Sequence, residues 1–221
     1  MSAKSTRAHA HRPLRVVVSG GPGGGKTTAA DLFRREIGSK VVLVPEAATL
    51  MFSSGFPRSH DPESVKIIQR TIYQVQMQME ALYAVQNPGR ILLCDRGTVD
   101  GAAYWPDDHP HEFFHAQGTT LKEELARYDA VLFFESAAVG GMMIKGGNPV
   151  RDETGEEAVV LDTRLRDIWS QHPRFVLVPH NPSFFKKISS GLAAMESIVG
   201  QLLHENGGTH KTTSTKRPRK A

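Results

Sequence analysis

The 221-residue chain has one cysteine, Cys94. A lone thiol excludes an intramolecular disulfide and suits a reducing compartment. Long apolar runs are missing too: none approaches the ~18 residues of a membrane span. The first dozen residues have no apolar core, so nothing there reads as a secretory signal. A basic globular surface is also lacking. Of the formal net charge of +4, residues 1–12 supply +3 and residues 207–221 supply +5. The stretch between is therefore mildly acidic, which argues against specific nucleic-acid binding by the folded part. No internal repeat appears. These absences predict a cytoplasmic chain with a disordered basic arm at 1–13, one domain at 14–206 and a disordered basic tail at 207–221. The tail sequence Lys216-Arg217-Pro218-Arg219-Lys220 keeps a nuclear address open as well. Oligomeric state has no signature.

What the chain does contain is Gly20-Gly21-Pro22-Gly23-Gly24-Gly25-Lys26-Thr27-Thr28, a G-x-x-x-x-G-K-[ST] loop. A β-branched run, Arg15-Val16-Val17-Val18-Ser19, precedes it, and a helix-compatible stretch from Thr28 to Arg35 follows. Strand, glycine loop and helix together are the context that a phosphate-binding loop requires. Residues without Cβ let successive backbone N–H groups curl round a phosphate, and the helix N-terminus adds its positive end. Lys26, reaching outward from the loop, is expected to meet the β/γ-phosphates, and the Thr27 hydroxyl to meet Mg²⁺.

Further apolar runs at 41–45, 91–95, 130–135 and 174–178 read as strands. Asp61-Pro62-Glu63 opens a helix with an N-cap and a first-turn proline. Its apolar positions Val65, Ile68, Ile72, Val75, Met79 and Leu82 are expected to face the core, with Gln69, Tyr73, Gln76 and Glu80 on another face. Thr120…Glu123 and Thr154…Glu157 are capping boxes. Residues 47–60 read as a loop or broken helix and 97–118 as loop-rich. Glycine pairs at 140–141 and 146–147 hinge a small lid at about 136–157. A long last helix carries Phe184, Phe185, Ile188, Leu192, Met195, Val199 and Leu202 on its apolar side. Alternating strands and helices predict an α/β, three-layer α/β/α fold around a five-stranded parallel sheet.

In such a sheet ligands gather at the carboxyl ends of the strands. Glu46 ends the second strand, where it suits either a proton acceptor for an attacking hydroxyl or a helix N-cap. Asp95-Arg96 ends the third, with Asp95 placed to organise Mg²⁺ and Arg96 to grip phosphate or form a salt bridge. Arg151 in the hinged stretch is a candidate for neutralising charge on a migrating phosphoryl group. Gln69 and Tyr73, with Gln76, suit an acceptor pocket or a solvated helix face. His111-Glu112-Phe113-Phe114-His115 matches the H-E-x-x-H zinc pattern, but a loop-rich setting does not give it the helix that zinc ligation needs.

The combination Val17-Val18-Ser19-Gly20-Gly21-Pro22…Gly25-Lys26-Thr27-Thr28, Val44-Pro45-Glu46-Ala47-Ala48 and Cys94-Asp95-Arg96-Gly97…Asp100-Gly101…Tyr104 resembles one family. It is the AAA-labelled P-loop ATPase domain shared by bacterial nicotinamide riboside kinase domains and the fly TRPL-translocation-defect protein. Asn148-Pro149-Val150-Arg151 and Leu161-Asp162…Trp169…His172-Pro173 extend the likeness, which covers about residues 15–203. The resemblance implies the strand order 2-3-1-4-5 of nucleoside and nucleotide kinases. It implies Mg²⁺ with ATP, GTP remaining an alternative, as phosphate donor to a nucleoside-like acceptor. It likewise implies a base role for Glu46 and an acid–arginine pair at Asp95-Arg96. The Asp-Glu pair of AAA+ motors does not end the third strand. A nucleotide-dependent switch, slowly hydrolysing and acting through a protein or lipid partner, is the alternative reading of the same site.

Overall fold

The computed structural model describes residues 12–106, 110–140 and 154–208. Strands β1 (Arg15–Ser19), β2 (Val41–Val44), β3 (Ile91–Asp95), β4 (Ala130–Phe134) and β5 (Phe175–Val178) form one parallel sheet in the order 2-3-1-4-5. Every strand is four or five residues long and strongly apolar, as strands covered on both faces should be. The pleat sorts their side chains. Val17, Leu92, Cys94, Val131 and Phe133 face one layer, while Val16, Val18, Leu93, Leu132 and Phe134 face the other.

Seven α-helices surround the sheet among the described residues: α1 (Lys26–Ile37), α2 (Ala47–Ser53), α3 (Pro62–Gln86), α4 (Pro110–Ala116), α5 (Leu121–Leu125), α6 (Gly155–Trp169) and α7 (Phe184–Gly208). Phe33 of α1 and Ile188, Met195 and Leu202 of α7 seal one face. Tyr73 of α3, Phe113 of α4, and Leu165 and Trp169 of α6 seal the other. The caps follow the sequence. Asp61 accepts the Ser64 N–H at 2.9 Å, and both capping boxes close reciprocally. No described helix is long and apolar enough to cross a membrane.

Three segments differ from expectation. Residues 97–118 are mostly helical, with a 3-10 turn at Asp100–Tyr104 followed by α4. The H-E-x-x-H residues therefore do lie on a helix, but it has only seven residues, and no metal-holding cluster occurs among the described residues. On α3 the polar stripe is the more buried one. Gln69, Tyr73, Gln76 and Glu80 are buried, while of the apolar positions Ile68 is buried, Val65, Ile72, Val75 and Met79 are half-buried and Leu82 is exposed. The reason is a polar network that satisfies the buried groups. Glu80, wholly inaccessible, meets Arg15 at 3.2 Å, Arg127 at 2.7 Å and the Tyr128 hydroxyl at 2.8 Å. On α7, Phe184 and Phe185 are exposed, because the first turn leaves the sheet edge and reaches the glycine loop.

Candidate active site

The glycine loop joins β1 to α1 at the carboxyl edge of the sheet. Gly20 has φ 136°, and a Cβ there would run into the Phe134 carbonyl of β4. Gly25, at φ 84°, is the left-handed N-cap of α1, and the Phe184 ring fills the space its Cβ would take. Lys26 does not reach outward. It is 2% exposed, and its ammonium folds back to donate to the Gly21 carbonyl at 2.7 Å. A buried ammonium needs an acceptor, and the loop's own carbonyl supplies one. Replacing Lys26 with alanine is expected to weaken ATP binding about tenfold or more, the scale of a charge-assisted hydrogen bond. Calorimetric titration checks this, with the circular dichroism spectrum confirming that the variant is folded.

Three residues not foreseen as site residues brace the loop. Asp162 of α6 accepts the Gly21 and Ser136 N–H groups, both at 2.8 Å. The Ser136 hydroxyl donates to the Pro22 carbonyl at 2.6 Å, and the Lys187 ammonium of α7 donates to the Gly24 carbonyl at 2.9 Å. Burial raises the Asp162 pKa, and its two backbone hydrogen bonds oppose that shift.

At the end of β3 the Asp95 carboxylate bonds to the Thr27 hydroxyl, and its Oδ1 is buried with no hydrogen-bond partner. Burial raises its pKa first and repulsion from Glu46 second, while Lys26, Thr27 and Arg96 pull it down. An orphaned, desolvated carboxylate oxygen next to a threonine hydroxyl fits a hard divalent cation such as Mg²⁺.

Arg96 follows with φ 70°, the one non-glycine residue at positive φ among those described. Its conformation turns the guanidinium between two buried carboxylates: Nε donates to Glu46 at 2.6 Å and a terminal nitrogen donates to Asp100 at 2.8 Å. Burial disfavours the Arg96 charge, but Tyr104, Glu46, Asp100 and Asp95 more than reverse that and hold its pKa well up. Asp100, not foreseen as a site residue, is the hub. It also accepts the Ser19 hydroxyl at 2.7 Å, the Gly97 N–H at 3.0 Å and the Trp169 indole at 3.2 Å. Glu46 is the N-cap of α2 by position, yet its side chain caps nothing. It accepts from Arg96 and from the Thr49 hydroxyl at 2.6 Å. Its backbone thus opens α2, while its carboxylate is taken up by Arg96 and Thr49.

Glu46, Arg96 and Asp100 form one wall of a cavity of about 820 Å³ between α2, α3, the Asp100–Tyr104 turn and α6. Gln69 and Tyr73 line it, with Trp105 and Val160 on other walls and Arg58 and Arg164 among its charged groups. Arg58 stacks on Phe52 at 4.1 Å from the ring centre. Tyr73 offers only its ring. Its hydroxyl donates to Glu124 at 2.8 Å, and burial raises its pKa. Arg151 and most of the expected lid lie outside the described residues, as do residues 1–11 and 209–221 of the two basic ends.

A family model described as AAA domain matches residues 15–184. None of the curated protein sequences matches the chain significantly. The crystal structure of NadR protein in complex with NR shares the fold with a TM-score of 0.61 at 15% identity. The alignment covers 96% of this chain and 54% of that one, so the chain spans about half the length of that protein.

Proposed function

Because the chain belongs to the AAA-domain family of P-loop proteins, we propose that it is a kinase passing the ATP γ-phosphate to a hydroxyl of a nucleoside-like small molecule. One observation carries this reading. The buried Glu46–Arg96–Asp100 cluster lines a cavity of about 820 Å³ and is tied through Ser19 to the end of β1, where the glycine loop begins. A hydrolase needs room there for one water, whereas this volume suits a whole acceptor molecule. NadR was crystallised with NR, so an acceptor of that size is compatible with the shared fold.

Each residue then has a role. The N–H groups of Gly23, Gly25, Lys26, Thr27 and Thr28 and the Lys26 ammonium hold the phosphates. Thr27 and Asp95 would hold Mg²⁺, which when bound offsets phosphate charge. Glu46 accepts the acceptor's hydroxyl proton. Arg96 aims that carboxylate by donating to it, and Asp100 fixes Arg96 from the other side. Gln69, 9% exposed on the cavity wall, presents an amide to a base or sugar. Arg151 would add positive charge at the migrating phosphoryl group.

The test is transfer of γ-labelled phosphate from Mg·ATP across a panel of nucleosides and vitamins. Label is expected in an organic product, formed faster than free phosphate. Release of free phosphate alone, with a protein or lipid partner that responds to bound nucleotide, would establish the switch reading instead.

A further inference from the structure

The first turn of α7 carries two residues against the back of the glycine loop. Phe184 fills the space beside Gly25, where a Cβ would stand 2.7 Å from its ring. Lys187, 4% exposed, is with Lys26 one of two buried lysines among the described residues. Its ammonium bridges two main-chain carbonyls, Gly24 in the glycine loop at 2.9 Å and Glu135 just past β4 at 2.5 Å, above the Phe134 ring.

The peptide plane makes this bridge consequential. In a trans peptide the C=O and the following N–H point to opposite sides. A cation drawing the Gly24 carbonyl to the back of the loop therefore sends the Gly25 N–H to the front. The Ser136 hydroxyl does the same at the Pro22 carbonyl for the Gly23 N–H. Front-facing N–H groups are what a phosphate needs, and holding them there before the ligand arrives removes an ordering cost.

We propose that Lys187 is a positioning residue for nucleotide binding, orienting the Gly24–Gly25 peptide through its ammonium without touching the nucleotide. This rests on the nucleotide-binding reading of the loop. The charges around it are consistent with the role. Asp162 and Glu135 face it, Arg166 meets Glu135 at 3.0 Å, and the His180 N–H donates to Glu135 at 2.7 Å. Lys26 lies near Asp162 from the loop side. Burial lowers the Lys187 pKa to about 8, and Asp162 and Glu135 only partly restore it. The ammonium is thus present below pH about 8 and lost above it, and a bound polyphosphate would favour its return.

Calorimetric titration of the full chain with ADP, which cannot transfer a γ-phosphate, tests the proposal. Lys187→Met is expected to weaken ADP binding about tenfold to a hundredfold at neutral pH, the scale of losing a charge-assisted hydrogen bond at a buried site. Wild-type affinity should fall as pH rises through about 8, and the variant's should stay flat there. Titrating wild type in buffers of different ionisation enthalpy should show uptake of up to about half a proton per ADP near pH 8. That readout needs no variant to fold, and a merely structural lysine would not produce it. Equal ADP affinity in Lys187→Met and wild type, or no proton uptake by wild type, overturns the role of Lys187 alone. Failure of wild type to bind ADP or ATP overturns the nucleotide reading and this role with it.

Discussion

Glu46→Gln is expected to lower acceptor phosphorylation by about 10²–10⁴-fold, the usual contribution of a general base. The substitution keeps the side chain's length and one acceptor oxygen, so Arg96 or Thr49 retains a partner at this place. What disappears is the negative charge and the capacity to take a proton. Mg·ATP affinity should stay near that of wild type, because Lys26, Thr27 and Asp95 are untouched. Single-turnover transfer of labelled phosphate measures the first quantity and calorimetry the second. Loss of ATP binding in this variant would make Glu46 part of the nucleotide site and remove it from the acceptor chemistry. An unaltered transfer rate would remove the base role outright.

Arg96→Ala is expected to cost about 3–5 kcal/mol, the range for breaking a buried ion pair by deleting one partner. Glu46 and Asp100 are 8% and 4% exposed, so water admitted from the adjoining cavity replaces the guanidinium only in part. Asp100 would keep its Ser19, Gly97 and Trp169 donors, which limits the loss on that side. Alanine also inherits the positive φ without the ion pairs that hold Arg96 in it. At roughly 2–4 °C per kcal/mol for a chain of this size, the melting temperature should drop by about 6–20 °C. A drop of a degree or two in a calorimetric scan would show that the end of β3 is held by packing and not by this cluster.

Much of this architecture was readable from short stretches. The limits of β1 and β3 and both capping boxes depend on residues within a few positions of one another. The glycine loop is likewise local, and strand ends then pointed to Glu46, Asp95 and Arg96. What escaped is what the fold joins over distance. Asp162 meets Gly21 across 141 positions and Lys187 meets Gly24 across 163, and no periodicity announces either. The polar stripe of α3 misled for a related reason. A helical pattern shows which residues share a face, but the partners that make a polar face buriable, Arg15, Arg127 and Tyr128, come from elsewhere. Asp100 was legible as a residue in a loop and illegible as a hub, since its donors arrive from β1, the β3 end and α6.

The chain has two tryptophans, and both stand at the cavity or against a residue that lines it. Trp105 lines the cavity, and the Trp169 indole is bonded to the carboxylate that steadies Arg96. Indole emission responds to local polarity and to hydrogen bonding, so the protein carries its own optical probe at the pocket whose occupant is to be identified. Titrating unlabelled compounds while following fluorescence would rank ligands of the cavity directly, with no coupled enzyme, no radiolabel and no engineered dye.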